Sequence, residues 1–288
     1  MEFTYDVSFF DHPDAVPSSG GPPSFGTEIR NSNVAGDFVG RYSDQASPGF
    51  TGQSFANIGG TLFDLGFEDA TGGVAASDIN DLDQIVGTYF VTEDSTVHGF
   101  IFDGDDFVTL DSTLGDAGTT ELLGMSNIGQ IVGTYTDGGA EHAFVYDATN
   151  GFVELDLTGA GAVGNDIIAL DVNDFGQIVG TYVDVISGIR HGFFLKDGVF
   201  TTIAHPDAAG FGSGGVSINN AGQIAGFYMD SFFTVNAFVY SGAFIPPSTC
   251  RTRAAPTASA TAASSSAATM TARRITASWQ RFPVRRWC

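Results

Sequence analysis

Apolar side chains recur at alternate positions in short runs along most of this chain, and the runs are closed by Gly, Asn or Asp. Alternation with a period of two, bounded by turn residues, predicts half-buried β-strands. Helical periodicity is absent throughout the body. The runs are also copies of one another. In the stretch Asp171–Tyr182, DVNDFGQIVGTY, the Gly that precedes the Tyr recurs as Gly40, Gly87, Gly133, Gly180 and Gly226, at steps of 47, 46, 47 and 46 residues. A period this constant marks one structural unit stacked five times.

Within the fourth unit the pattern predicts strands over 167–173, 177–183, 191–196 and 199–205. Asn173-Asp174-Phe175-Gly176 and Asp197-Gly198 supply the turn chemistry between them. Tyr42, Tyr89, Tyr135, Tyr182 and Tyr228 form one aromatic column. Phe55, Phe100, Phe144, Phe193 and Phe238 form a second, in the third strand, and Phe63, Phe107, Phe152, Phe200 and Phe244 open the fourth. Four antiparallel strands in each repeat is the arithmetic of a β-propeller blade. The expectation is an all-β, five-bladed propeller over residues 1–247. Phe3–Ala15 resembles the end of a unit (compare Phe200–Ala208), while the fifth unit breaks off after Phe244. The N-terminal strand is therefore expected to close the last blade and remove an exposed edge.

Composition changes this picture mainly at the C-terminus. Only Arg30, Arg41, Arg190 and Lys196 are basic before Cys250, against all 33 acidic residues, so the body carries −29 and the tail +7. A body so acidic repels phosphate backbones and anionic lipid, which excludes nucleic acid as its expected partner. Residues 248–288 are rich in Ala, Ser, Thr and Arg, with no Gly, Asp or Glu. Such a segment cannot bury enough apolar surface to order itself, and is expected to be disordered or the product of a shifted frame. No run of 18 apolar residues predicts a membrane span. The opening residues show neither the basic nor the apolar region of a signal peptide. The two cysteines, Cys250 and Cys288, lie outside the repeats, so no disulfide framework is expected.

The motifs His142-Ala143-Phe144, with His98-Gly99-Phe100, His191-Gly192-Phe193 and Asn236-Ala237-Phe238 as variants, accompany the pattern Ile-Asn-x-x-Gly-Gln-Ile-x-Gly-x-Tyr at Ile218–Tyr228. On these residues the chain resembles the bacterial HAF-type extracellular repeat family, over about residues 3–245. The resemblance implies a secreted or surface-exposed propeller-like protein, and brings no common catalytic residues with it.

Candidate chemistry is sparse. His98, His142 and His191 share a column that a transition metal could use, although Gln53 and Asn236 in the remaining places favour a hydrogen-bonding role; His12 and His205 read as turn residues. Asp44, Asp137, Asp184 and Asp230 follow the Gly by four residues, in the loop after the second strand, and are the candidates for a calcium site. The cluster from Asp78 to Asp83 fails as a calcium loop because Leu82 stands at a ligand position. Asp78 and Asp171 are the inner-strand acids that a propeller glycosidase would use. The expected function is a non-enzymatic, monomeric scaffold that binds a glycan or protein through loops on one face, with no resident cofactor beyond possible calcium. The alternatives are a propeller glycoside hydrolase or lyase with axial carboxylates, and a non-functional remnant of a longer repeat protein.

Overall fold

The computed structural model describes residues 27–42, 53–157, 167–184, 186–208 and 212–244, together with 10, 12–15 and 210. They form five antiparallel sheets, one per repeat, arranged as a five-bladed β-propeller. Blade 1 holds β1 (Thr27–Ser32), β2 (Phe38–Tyr42), β3 (Gln53–Ile58) and β4 (Thr61–Leu65). Blade 2 holds β5 (Gly73–Ile79), β6 (Ile85–Val91), β7 (Thr96–Phe102) and β8 (Phe107–Thr109). Blade 3 holds β9 (Glu121–Met125), β10 (Ile131–Asp137), β11 (Ala140–Asp147) and β12 (Gly151–Glu154). Blade 4 holds β13 (Ile168–Val172), β14 (Ile178–Val183), β15 (Arg190–Lys196) and β16 (Val199–Ile203). Blade 5 holds β17 (Ser213–Ile218), β18 (Ile224–Met229) and β19 (Val235–Tyr240), and an antiparallel bridge from Tyr240 to Phe244 begins its fourth position.

The expected closing strand lies outside the described residues, but its end is visible. Phe10 packs on Phe38 and Phe55 of blade 1, with ring centroids 5.0 and 5.6 Å apart. His12 stacks on Tyr42 at 3.7 Å. The last connection repeats that stack: His205, in the loop after β16, lies 3.7 Å from Tyr228 of the next blade. Both loops turn the same way, Ala15 and Ala208 donating their N–H groups to the carbonyls of His12 and His205. Phe10 and His12 thus sit against blade 1 as the end of a preceding blade's fourth strand would. The basic tail, 248–288, also lies outside the described residues.

Among the described residues the core is divided rather than common. Four apolar clusters lie between consecutive blades: Val39, Ala56 and Leu65 meet blade 2; Val86 meets blade 3; Val132, Ala143 and Leu157 meet blade 4; Val179 and Ile203 meet blade 5. Phe100, Phe144, Phe193 and Phe238 fill these clusters from the later blade, and each such burial stabilises by about 2–3 kcal/mol. Nearest-neighbour cores of this kind are how a repeat protein is stabilised.

The recurrent Gly has a steric cause. In every blade the first strand carries a bulge, between Ile29 and Asn31, Ala76 and Asp78, Ala169 and Asp171, and Gly215 and Ser217, with the equivalent irregularity opposite Val132 and Gly133. The Gly stands opposite that bulge and beneath the column Phe. A Cβ on Gly180 would strike the Ile168 carbonyl oxygen and approach the Phe193 ring to 2.8 Å.

Hydrogen bonds across 46 or 47 residues join the blades at the end where the first and second strands meet. Asn80 Nδ2 donates to Gln84 Oε1 within its turn at 2.9 Å and to the Ser126 carbonyl of blade 3 at 3.4 Å. Asn173 does the same with Gln177 at 2.8 Å and the Asn219 carbonyl at 3.0 Å. This is the physical content of the Asn-x-x-Gly-Gln motif. Asp83 takes the place of its Gly in blade 2 at φ 60°, a left-handed conformation that Asp tolerates better than most residues. Beside it runs an alternating ladder. Val34 N–H donates to Asp81, Asn127 donates to Asp81 and Asp174, and Asn220 donates to Asp174. Alternation of Asp with Asn keeps two carboxylates from meeting.

Two outcomes test this account. Gly180→Ala should lower the melting temperature by several degrees, reflecting about 1–3 kcal/mol of overpacking; an unchanged melting curve would contradict the close approach. Blade 3 has Ser126 where its neighbours have Asn, and Gln130 Oε1 is buried without a partner among the described residues. Ser126→Asn should restore that bond and the one to the Asn173 carbonyl. The expected gain is about 1 kcal/mol, or roughly 2–4 °C, and calorimetry showing no gain would reject the restored bond.

Candidate ligand cleft at the propeller axis

The first strands of consecutive blades neighbour one another around the axis. The residue that each bulge adds is left out of the pairing register, and bulges re-aim side chains in this way. The added column is Arg30, Ser77, Leu123, Leu170 and Val216. Three of these residues, Arg30, Ser77 and Leu123, line one cleft of about 330 Å³ between blades 1, 2 and 3. Arg41, Ser54, Val74, Thr88, Phe90 and Glu121 complete its polar and apolar walls. Glu28 pairs with Arg41, Gly73 with Phe90 and Glu121 with Thr134, so the cleft opens toward the end where the second strands finish. That is the face of the connections between second and third strands and between blades.

Arg30 and Arg41 are half of the basic residues before position 250, and both stand in blade 1. Arg41 donates from Nε (2.8 Å) and Nη2 (2.7 Å) to the same Glu28 oxygen, Oε2. Arg30 Nη1 is 3.7 Å from the other oxygen, beyond hydrogen-bond reach. One carboxylate therefore faces two guanidinium groups on this wall, while Glu121 stands on the wall opposite. Burial lowers the Arg30 pKa, Glu28 opposes that shift and Arg41 adds to it. On the far wall, desolvation raises the Glu121 pKa, and Glu141 raises it further. Sequence reasoning missed this cleft. The available signal was that Arg30 and Arg41 break their columns, which otherwise hold Ser, Leu and Val in one case and Thr and Phe in the other.

The inner-strand acids are placed elsewhere. Asp78 is fully buried; its Oδ1 accepts from Asn31 of blade 1 and from Ile79 N–H, and its Oδ2 from Met125 N–H of blade 3 at 2.8 Å. Asp171 accepts from Val172 N–H, Ser217 Oγ and Ile218 N–H, at 2.8, 2.7 and 2.8 Å. These carboxylates tie blades together.

Of the calcium candidates, Asp44 lies outside the described residues. Asp137 ends β10, exposed and opposite Ala140. Asp184 accepts from Ile186 N–H, Ser187 N–H and Ser187 Oγ. Asp230 accepts from Phe232 N–H, Thr234 N–H and Asn236 Nδ2. Hydrogen bonds, chiefly from Ser187 and Thr234 respectively, hold both carboxyls below the usual carboxylate range. Asp184 and Asp230 thus each serve their own hairpin. No group of three or more His, Cys, Asp or Glu among the described residues is placed to hold a metal ion.

The histidine column is likewise divided between blades. His98 Nδ1 lies 2.7 Å from Asp111 and its Nε2 2.8 Å from Thr96, while His142 Nδ1 lies 3.0 Å from Glu154. His191 Nδ1 is buried without a partner among the described residues. His98 and His142 stack on Tyr89 and Tyr135, and His191 lies tilted against Tyr182. His12 and His205 do more than turn the chain, since each also caps the Tyr of the next blade.

No family model and no curated protein matches this sequence. Among solved structures it is similar to TolB from Acinetobacter baumannii, with a TM-score of 0.54 and 14% identity over 72% of this chain and 50% of that one. The chain thus spans half the length of the TolB chain it matches. It is also similar to a six-bladed propeller lectin from Aleuria aurantia (TM-score 0.45, 12% identity, 76% of this chain and 75% of that one). A third match is the β-propeller domain of the Trilobed protease from Pyrococcus furiosus (TM-score 0.48, 10% identity, 73% and 62%). At such identities the likeness is one of fold: this chain is a β-propeller. Propellers gather their inter-strand loops on two faces, and here one face carries the cleft.

Proposed function

We propose that this propeller is a non-enzymatic binding scaffold of the HAF-type extracellular repeat class, working outside the cell or at its surface, and that its ligand is a glycan held in the cleft between blades 1, 2 and 3. One observation carries the reading: charged, hydroxyl and aromatic side chains from three blades converge on a single cleft of about 330 Å³. Pockets of that size suit small ligands. Phe90 offers a flat apolar surface for the C–H face of a sugar ring, while Ser77 and Thr88 offer hydroxyl groups to its edges. A protein partner would more naturally use a broad area of the same face. The hydrolase alternative calls for acids free to reach substrate at the axis, and Asp78 and Asp171 are committed to the neighbouring blades.

A glycan-array screen of the full chain, repeated with Ser77→Trp, tests this. Reproducible binding that Ser77→Trp reduces at least tenfold, with the melting temperature unchanged, is expected. Binding indifferent to the Trp would move the site off the cleft, and a blank array from folded protein would remove glycans as the ligand.

A further inference from the structure

We propose that the glycan bound in this cleft carries a carboxylate, and that Arg30 is the residue that pairs with it. The proposal rests on the glycan reading above and adds the ligand's charge class. Its first support is placement. A body of −29 has four basic residues before Cys250, and two of them line one cleft. Neither is required by the blade. Ser77, Leu123, Leu170 and Val216 occupy the Arg30 position in other blades, and Thr88, Thr134, Thr181 and Phe227 occupy that of Arg41. A repeat departs from its own pattern where something other than the fold sets the residue.

The second support is how the charges are shared. Glu28, with only 18% of its side chain exposed, is engaged by two nitrogens of Arg41, which fixes Arg41 as a support. Arg30 meets Glu28 only through a longer ion pair, 3.7 Å from Nη1 to Oε1 and beyond hydrogen-bond reach, so its remaining N–H groups are left for a ligand. With 42% of its side chain exposed, Arg30 is open to a ligand entering the cleft. Its planar fork matches a carboxylate, which can accept two parallel N–H bonds. Across the cleft, Phe90 and Leu123 give apolar contact, Thr88 a hydroxyl and Glu121 an acceptor for sugar hydroxyl groups, so the anion is expected on a sugar rather than alone. The acidic body repels a long polyanion as a whole. A saccharide end bearing one acidic ring escapes most of that repulsion, which is screened beyond roughly 8 Å at physiological salt.

The test prints uronic- and sialic-acid oligosaccharides on the array beside their carboxyl-reduced counterparts, and probes both with the full-length wild-type chain, Arg30→Gln and Arg30→Lys. Acidic forms should bind at least tenfold more tightly than their reduced partners. Arg30→Gln should abolish that preference without lowering the melting temperature, and Arg30→Lys should retain part of it. Equal binding of acid and reduced forms would overturn the carboxylate proposal and leave the glycan reading standing. No binding to any glycan would end both. Inorganic phosphate that competes as well as the acidic saccharides do would show that the cleft reads charge alone, which also overturns the proposal.

Discussion

The structure depends on hydrogen bonds that span 46 or 47 residues, one repeat, from each blade to the next. Each blade alone is a small sheet with two apolar faces and no core of its own. Its faces are buried only when a neighbour arrives in the correct register, and the buried Asn, Asp and backbone groups near the axis set that register. Leaving one such group unsatisfied costs about 1–3 kcal/mol, more if it is charged, so a slipped blade loses on polar as well as apolar terms. The alternation of Asp81, Asn127, Asp174 and Asn220 shows the constraint at work: a column made only of Asp would set carboxylates side by side with no donor between them.

The bulge in the first strand links that scaffold to the cleft. It turns Asp78 and Asp171 toward neighbouring blades, where they act as internal ties. It also leaves the preceding residue unpaired, and in blades 1, 2 and 3 that residue reaches the cleft. Because the bulge needs a Gly opposite it and a Phe over that Gly, three columns of the repeat exist to hold one irregularity. Variation at the freed position costs the fold little. Arg, Ser, Leu, Leu and Val all occur there.

Binding chemistry in a repeat protein is therefore best sought where the copies disagree. The columns of Tyr, Phe and Gly are architecture. The carboxylates of Asp184 and Asp230 cap their own hairpins. Arg30 and Arg41 agree with nothing, and they are the basic charges that the cleft gathers.

Blade number, strand order and the burial of the aromatic columns were legible in the sequence. Period-two alternation and a 46–47-residue repeat are local consequences of the pleat and of one stacked unit, and they need no knowledge of distant contacts. Turn positions were legible for the same reason, since a left-handed residue at Gly176 or Gly198 is decided by the chain on either side. The role of Asp78 and Asp171 was not legible. An inner-strand Asp can face the axis or the adjacent blade, and only the bulge, visible as a shift in pairing, decides which. The cleft was not legible either, because Arg30, Ser77 and Leu123 are each separated by a full repeat and meet only when three blades close around the axis. Local pattern settled how each blade is built; the packing of one blade on the next settled which side chains face one another and what chemistry they share.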